Sequence, residues 1–237
     1  MSTAVSDSLP AAPLGAEPAP AVEALSLYRF FRAGDEEVLA LRGVSLTLRP
    51  GELVAVVGPS GSGKSTLLAC LAGLDEPDGG TVRVNGLRIS HQSEHRRARL
   101  RARHIGILYQ ERNLLAHLTI EQNIVLTQRI ADRCPSVHPA VLLASLDIAD
   151  RGAAYPDQLS GGELARAGLA VALANDPLIV LADEPTGELD TTTEADVLAM
   201  LRRRAAAGAA ILIASHSPAV AAGADRVIEL ADGQVVT

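Results

Sequence analysis

The feature that most constrains this chain is a glycine-rich segment, GPSGSGKS, at residues 58–65, called the phosphate loop below. It follows the apolar run Leu53–Val57 and precedes Ser65–Ala72, whose pattern is typical of a helix. The segment fits G-x-x-x-x-G-K-[S/T], in which backbone N–H groups surround phosphate oxygens. A chance glycine-rich turn would not need a strand before it and a helix after it. The context therefore predicts a strand, a phosphate-binding loop and a helix in succession.

The residue types in this loop suit a bound polyphosphate. Glycines let the backbone approach the ligand closely, and the N-terminus of the following helix favours an anion. Lys64 is expected to reach the β- and γ-phosphates, and the Ser65 hydroxyl is expected to bind Mg²⁺. Lys64 is the only lysine among 21 basic residues, which indicates a site that requires a compact ammonium group. The predicted nucleotide-binding residues of the loop are Gly58, Pro59, Ser60, Gly61, Ser62, Gly63, Lys64, Ser65 and Thr66.

Length and composition exclude several classes of protein. The chain has 237 residues, of which 48% are hydrophobic, enough for one large domain or two small ones. A net charge of −7 argues against a protein that grips nucleic acid through bulk charge. Its two cysteines exclude a disulfide framework, and no apolar run approaches the roughly 18 residues of a membrane helix. Because the N-terminus also lacks a secretory pattern, we expect a soluble protein whose membrane role requires a partner.

The chain divides into a short tail and one domain. Residues 1–23 are rich in alanine and proline and predict a flexible tail. In residues 24–237, apolar strands alternate with helical patterns, which is typical of an α/β domain with a mostly parallel sheet. The block 111–165 lacks strand signals and predicts a helical insert. The predicted strands are Val44–Leu48, Leu53–Val57, Thr81–Val84, Leu178–Ala182, Ala210–Ala214, Val227–Leu230 and Val235–Val236. The predicted helices are Ser65–Ala72, Ser93–Arg103, Gly162–Ala174 and Asp196–Ala206, with others in 120–150.

A second motif places two acids at the end of an apolar strand. Leu178–Ala182 leads directly into Asp183 and Glu184. Solvated acids commonly end a strand, so the pair alone indicates little. Beside a phosphate loop, however, Asp183 can hold Mg²⁺ through water, and Glu184 can orient a water that attacks phosphate.

A third motif, LSGGE, contains a Ser-Gly-Gly turn (Ser160–Gly162) at the predicted start of a helix. In isolation such a turn is typical of a helix cap. Next to a phosphate loop in the same chain, it predicts a second anion-binding helix N-terminus. One nucleotide does not need two such sites from one subunit. We therefore expect each nucleotide to lie between two copies of the chain.

The order of these motifs resembles the ATP-binding subunits of ABC transporters, over about residues 25–237. Phosphate loop, Gln110, LSGGE, LADEP and His216 follow one another as in that family, and the surrounding residues are most similar to its LolD/MacB-type group. The resemblance implies an α/β fold with a P-loop NTPase (RecA-like) core, a small antiparallel β subdomain and a helical insert. It implies ATP hydrolysis, ATP and Mg²⁺ as ligands, a second copy of the chain and an integral-membrane permease. It also implies attachment to the cytoplasmic face of the plasma membrane and no nucleic-acid partner.

The resemblance further implies roles for single residues. Phe31 would stack on adenine, where the family usually has tyrosine, and Asp190 would lie in the loop that joins the two sites. Ser217 follows the histidine where the family often has aspartate. The residues expected to contact the γ-phosphate from the second copy are Ser160, Gly161 and Gly162. The expected catalytic residues are Lys64, Gln110, Glu184 and His216, and the expected Mg²⁺ ligands are Ser65, Gln110 and Asp183.

Two other functions stay open. One is a soluble ABC ATPase that acts on DNA or ribosomes, although such relatives generally carry two cassettes or a long coiled-coil insertion. The other is an ATPase that transmits force through a membrane partner to an extracytoplasmic enzyme. Export is favoured over import only by the subgroup resemblance. The cargo is not predicted, because the membrane partner selects it.

Overall fold

The computed structural model describes residues 19–33, 36–110, 113–131, 137–187 and 189–236. Within these ranges the chain forms two β-sheets, seven α-helices and two short 3₁₀ turns. The strands are β1 (Val22–Ala33), β2 (Glu36–Leu48), β3 (Leu53–Val57), β4 (Gly79–Val84), β5 (Leu87–Arg88), β6 (Ile105–Tyr109), β7 (Ile179–Asp183), β8 (Ala210–Ala214), β9 (Arg226–Ala231) and β10 (Gln234–Val235). The helices are α1 (Lys64–Leu71), α2 (Glu94–His104), α3 (Ile120–Ile130), α4 (Pro139–Ser145), α5 (Gly161–Leu173), α6 (Thr191–Ala206) and α7 (Pro218–Gly223). The 3₁₀ turns are Ala149–Arg151 and Pro156–Gln158.

The larger sheet has the strand order β10-β9-β3-β8-β7-β6. Strands β9, β3, β8, β7 and β6 are parallel to their neighbours, and only β10 is antiparallel. Parallel strands end at the same edge of a sheet, so the segments that follow them are brought together there. The mostly parallel sheet expected from the alternating pattern is present.

This sheet is buried on both faces. Alternate residues of its central strands enter two separate apolar cores, one with α1 and the antiparallel sheet, the other with α3, α4, α5 and α6. All five residues of β8 are buried, which explains why its sequence is a continuous apolar run. The large buried area makes the carboxyl edge a rigid platform.

The smaller sheet is antiparallel, with the strand order β2-β1-β4-β5. Its buried residues join the core that contains α1. Arg29 on β1 binds the Asp75 carboxylate through two nitrogens, both at 2.8 Å, and Asp78 at 3.1 Å. These bonds connect the antiparallel sheet to the segment after α1.

Several elements differ from the sequence predictions: β5 and α7 were not predicted, and β2 begins at Glu36 instead of the expected Val44. Strand β1 begins at Val22, inside the range assigned to the tail, of which residues 1–18 lie outside the described residues. Strand β6 was not predicted, because α2 runs directly into it with no turn residue between them. Helix α6 begins at Thr191, well before the expected Asp196, because the Asp190 carboxylate caps its N-terminus.

The segment between β6 and α5 contains α3, α4 and both 3₁₀ turns, and its described part contains no strand. This agrees with the expected helical content of the block 111–165, although residues 111–112 and 132–136 lie outside the described residues. Its limits as a separate subdomain stay a prediction. Among the described residues, no helix combines the length and the apolar composition needed to cross a bilayer.

Candidate functional site

Four of the predicted functional segments meet at the carboxyl edge of the large sheet. The phosphate loop follows β3, Glu184 follows β7, His216 lies two residues after β8, and Gln110 follows β6. The register pairs Tyr109 with Asp183, and Ala214 pairs with both Asp183 and Val56 on its two sides. The parallel topology therefore places these segments side by side.

The phosphate loop is packed so closely that two of its glycines admit no side chain. A Cβ on Gly58 would lie 2.0 Å from the Leu230 carbonyl oxygen, and one on Gly63 would lie 2.4 Å from that of Ala40. Both glycines have positive φ, 153° and 104°, which side chains disfavour. The backbone of the loop is thus fixed by strands β2 and β9.

The Lys64 side chain folds back onto the first residues of the phosphate loop. Its side chain is buried, and Nζ donates hydrogen bonds to the carbonyl oxygens of Gly58 at 2.8 Å and Pro59 at 3.0 Å. The Ser62 hydroxyl is buried and has no hydrogen-bond partner among the residues that the structure describes. Helix α1 begins at Lys64, and its N-cap residue Gly63 has no side chain to cap it, so the first N–H groups of the helix are open to a ligand. A buried ammonium, an unpartnered hydroxyl and uncapped N–H groups together fit a polyphosphate.

Asp183 and Ser65 face each other across the loop through a hydrogen bond between their side chains. Burial raises the pKa of the Asp183 carboxyl above its ordinary value, and the neighbouring Glu184 adds to the rise. The Ser65 hydrogen bond and the charge of Lys64 oppose it. A carboxylate and a hydroxyl are oxygen donors of the kind that Mg²⁺ prefers beside phosphate, and a cation there would favour the ionised acid. These two side chains therefore fit a Mg²⁺ ion.

Glu184 is held by the segment after β8, called the switch segment below (Ser215–Ser217). Its carboxylate accepts hydrogen bonds from the Ser215 hydroxyl at 3.0 Å and from the His216 ring, with Nδ1 at 2.9 Å. Glu184 has a positive φ of 47°, a conformation that costs about 1–3 kcal/mol in residues other than glycine. The His216 side chain is 73% exposed, so the rest of its ring is open to a ligand. The strained backbone and the two hydrogen bonds together fix the direction of this carboxylate.

Gln110 lies near the residues that follow Glu184. A Cβ on Gly187, three residues after Glu184, would lie 3.5 Å from Gln110 Nε2. Gln110 and Glu184 line one groove, together with Gly161 of the Ser-Gly-Gly turn and apolar residues that include Leu114 and Leu164. The groove thus connects the carboxyl edge of the sheet to the helical segment.

The Ser-Gly-Gly turn forms the start of α5. The Ser160 hydroxyl accepts from the backbone N–H of Glu163, whose carboxylate accepts from both the backbone N–H and the hydroxyl of Ser160. Arg151 holds that carboxylate in turn, with Nε 2.7 Å from Oε1. Among the described residues, no hydrogen bond joins this turn to the phosphate loop of the same chain. The structure therefore does not bring the two predicted anion-binding segments together within one copy.

The acid Glu163 makes the turn sensitive to low pH. The Ser160 backbone N–H, Arg151 and the Ser160 hydroxyl lower the pKa of the Glu163 carboxyl from 4.5 to about 2. Because the folded pKa lies below the unfolded one, this stabilisation is complete above about pH 4.5 and is lost as pH falls toward about 2. We expect the stability of Glu163→Gln to fall less steeply over that range than that of the original protein. Urea unfolding at pH 5, 4 and 3 would measure this, and parallel curves would contradict the assignment.

The last two predicted residues lie at the margin of the site. Phe31 is 40% exposed on β1 and pairs with Val38, and the Arg29 guanidinium lies 4.7 Å from the centre of its ring. One face of the ring is thus covered by a cation. Asp190 caps α6 and accepts a hydrogen bond from the Thr193 hydroxyl at 2.6 Å, and Thr193 lies against Gly162. Asp190 is therefore connected to the Ser-Gly-Gly turn through one side chain.

Sequence reasoning missed four residues that hold the predicted ones in place. They are Arg29 at Phe31, Arg151 at Glu163, Ser215 at Glu184, and Glu194, which binds Ser217 and Thr186. Ser215 follows a buried strand and precedes His216, so its position offered a local signal. Arg29 lies two residues before Phe31, so its position also offered a local signal. Arg151 and Glu194 gave none, because they reach their partners from separate secondary-structure elements.

Comparison with known proteins places this arrangement among related sequences and structures. A family model described as ABC transporter matches residues 41–187. A macrolide export ATP-binding/permease protein, MacB of Shigella flexneri, is 43% identical over 220 residues, which are 92% of this chain and 34% of that protein. The chain spans about a third of the length of the curated relatives that it matches.

Two solved structures share the fold. The dimeric structure of MJ0796, a bacterial ABC transporter cassette, is 32% identical with a TM-score of 0.84 and covers 91% of this chain and 97% of its own. The dimer of the same cassette in a post-hydrolysis state, bound to ADP and Pi, is 31% identical, with the same TM-score and coverage. The predicted fold class, a P-loop NTPase core with an antiparallel subdomain and a helical insert, is confirmed.

Proposed function

Because this chain belongs to the ABC transporter family, we propose that two copies of it close around two Mg-ATP and thereby drive an integral-membrane permease. As a member of that family, the chain is an ATP-binding cassette and an ATP hydrolase. The observation that carries the proposal is that one edge of one sheet holds a complete phosphate loop, a Ser65–Asp183 pair and a fixed Glu184. Within the described residues, the helix start that could complete the site makes no hydrogen bond to the phosphate loop of the same chain.

Lys64 and the phosphate loop are assigned to the triphosphate. The Lys64 ammonium donates hydrogen bonds to two backbone carbonyls, at 2.8 and 3.0 Å. An incoming β/γ-phosphate offers it stronger, charge-assisted hydrogen bonds. The uncapped start of α1 and the Ser62 hydroxyl supply further donors. Phe31, with one ring face against Arg29, has its other face for the adenine.

Ser65, Asp183 and Gln110 are assigned to Mg²⁺. When bound, the ion neutralises phosphate charge and so assists attack on the γ-phosphate. The Ser65 hydroxyl and Asp183 carboxylate already face each other, and Gln110 lies near the residues that follow Glu184. These side chains would hold the ion without a change in the sheet that carries them.

Glu184 and His216 are assigned to hydrolysis. Glu184 would accept a hydrogen bond from the attacking water and orient it toward the γ-phosphate, in line with the leaving oxygen. His216, fixed through Nδ1, would present its remaining ring nitrogen to the γ-phosphate. Little covalent chemistry falls to the protein, so the position of these groups supplies most of the rate.

The second half of each site is assigned to the other copy. The N-terminus of α5, formed by Ser160, Gly161 and Gly162, can bind an anion. Within the described residues it makes no hydrogen bond to the phosphate loop of its own chain. In a head-to-tail pair it would contact the γ-phosphate of the facing copy. Asp190 is connected to that turn through Thr193 and would lie in the loop that joins the two sites, so that a change at one site can alter the other. ATP would close the pair, and hydrolysis would let it open.

The membrane partner is proposed from the relatives. MacB is described as a macrolide export ATP-binding/permease protein, and this chain covers 34% of its length. We place the chain in the cytoplasm, on the inner face of the plasma membrane through a permease, with export as the direction. The groove between Gln110 and the helical segment would receive the permease, because it connects the nucleotide site to exposed apolar side chains.

Two exposed leucines test this docking surface. Leu115 lies beside the groove and is 45% exposed, whereas Leu178 is equally exposed at the opposite, amino end of β7. Each is replaced by aspartate in a tagged chain that is purified from its native membranes in mild detergent. We expect Leu115→Asp to recover at least about tenfold less of a multi-helix membrane protein, since a charge in an apolar contact is costly. Leu178→Asp should recover as much as the original chain.

Mass spectrometry of the recovered proteins decides between the candidate functions. A permease with a large extracytoplasmic domain would support export or force transmission. Counting molecules moved per ATP in the reconstituted complex would then separate these two. Recovery of ribosomal or DNA-bound partners alone would refute the transporter proposal and leave the ATP site unaffected.

A further inference from the structure

Two carboxylates, not one, hold the switch segment. On one side Glu184 binds the Ser215 hydroxyl and the His216 ring. The Ser215 hydroxyl also accepts the backbone N–H of Ser217 at 3.1 Å, which tightens the segment around the histidine. On the other side the hydroxyl of Ser217 donates to Glu194 on α6 at 2.7 Å.

The same oxygen of Glu194 also binds the segment that follows β7 and contains Glu184. Oε1 of Glu194 accepts a hydrogen bond from the Thr186 hydroxyl at 3.0 Å. Thr186 is buried and lies two residues after Glu184, whereas Ser217 lies one residue after His216. Glu194 therefore ties together the segments that follow β7 and β8. An ionised carboxylate has acceptor oxygens and no donor, so both hydroxyls donate to it.

The pair needs such a tie because the described hydrogen bonds of the Glu184 carboxylate join Glu184 and the switch segment only to each other. Glu184 has a left-handed backbone, and the His216 side chain is largely exposed. Where the family often has an aspartate after the histidine, this chain has Ser217, which cannot supply a charge. The structure brings a carboxylate to that place from another helix.

We propose that Glu194 is a positioning residue, which holds the switch segment against the residues that follow β7 so that Glu184 and His216 reach the γ-phosphate and its attacking water together. This inference rests on the proposed role of that pair in hydrolysis. Glu194 itself touches neither the phosphate loop nor the Ser65–Asp183 pair through the hydrogen bonds described. Its loss should slow hydrolysis and leave nucleotide binding intact.

The test compares four variants of the full chain. Glu194→Ala removes both hydrogen bonds, and Glu194→Gln keeps one acceptor oxygen without the charge. Glu194→Ala combined with Ser217→Asp restores a carboxylate at the position where the family often has it. Asp196→Asn, on the same helix and exposed, removes a charge that is not connected to the switch segment. ATP turnover is measured as kcat and KM, and amide hydrogen exchange is measured over residues 215–220 without nucleotide.

We expect Glu194→Ala to lower kcat about tenfold, as loss of hydrogen bonds to a charged group predicts, with KM within about twofold of the original. Exchange over 215–220 should become faster, because the amides of Ser217 and His216 depend on the held segment. The kcat and the exchange rate of Glu194→Gln should lie between those of Glu194→Ala and those of the original chain. Ser217→Asp should restore kcat of the alanine variant to within about threefold, and Asp196→Asn should match the original.

Three results would overturn the inference. One is an unchanged kcat in a Glu194→Ala protein that folds as the original chain does. Another is a parallel change in kcat, KM and thermal stability that Ser217→Asp does not restore, because this would make Glu194 a structural residue only. The third is unchanged exchange over 215–220. If the original chain itself turned over no ATP, the proposed function would fail first, a result separate from these three.

Discussion

Replacing Glu184 by glutamine should lower ATP turnover by about 10²–10⁴-fold, because the amide cannot activate the attacking water as a carboxylate does. The amide keeps the shape of the side chain and can still accept a hydrogen bond from the Ser215 hydroxyl, so the strained backbone at Glu184 should keep its conformation. With binding intact and hydrolysis blocked, ATP should hold two copies together. Light scattering after gel filtration at saturating Mg-ATP should show a dimer.

Glu121→Gln is the matched control, since Glu121 is an exposed acid at the start of α3, away from the sheet edge. It should turn over ATP at the original rate and remain in the original oligomeric state. A Glu184→Gln protein that keeps more than about a tenth of the original turnover would exclude the role given to this residue. A variant that binds ATP but stays monomeric would instead refute the head-to-tail pair.

Replacing Lys64 by arginine should weaken ATP binding about 100-fold, although the charge is kept. The Lys64 ammonium is buried and lies 2.8 Å from the Gly58 carbonyl oxygen and 3.0 Å from that of Pro59. A planar guanidinium is wider than this space. The loop cannot widen, because Gly58 and Gly63 are already pressed against the backbone of β9 and β2. Titration with a fluorescent ATP analogue would measure the affinity.

Arg203→Lys provides the reverse exchange at an exposed position of α6. It should leave affinity and turnover as they were, because a solvated basic residue tolerates either group. A Lys64→Arg protein that binds within about threefold of the original affinity would show that charge alone is needed. The single lysine among 21 basic residues would then not reflect a requirement of the site for a compact ammonium group.

The local motifs could be predicted from sequence because each is contiguous. The phosphate loop, the acids after β7 and the Ser-Gly-Gly turn carry their chemistry within a few residues, and the structure places all three where strands and helices begin or end. Strands buried on both faces, such as β7 and β8, could also be predicted, because a short, continuous apolar run is typical of a strand that is covered on both sides.

The elements that were missed depend on contacts with distant parts of the chain. β6 follows an arginine-rich helix without a turn, and only its pairing with β7 shows it to be a strand. β1 begins within a segment whose composition resembles a tail, and its pairing with β2 and β4 orders it. The start of α6 could not be predicted, because three threonines with low helix propensity begin the helix and the cap from Asp190 offsets that low propensity.

By itself, the sequence determined the phosphate loop, its single lysine, the order of the motifs and thereby the class of chemistry, because each depends on covalent neighbours. Only the tertiary structure decided which groups act as a unit. Parallel pairing of β6, β7 and β8 places Gln110, Glu184 and the switch segment at one edge, although they are far apart in the chain. The carboxylate of Glu194 reaches Ser217 from α6 because a hydrogen bond requires proximity in space, which helix packing supplies and sequence spacing does not.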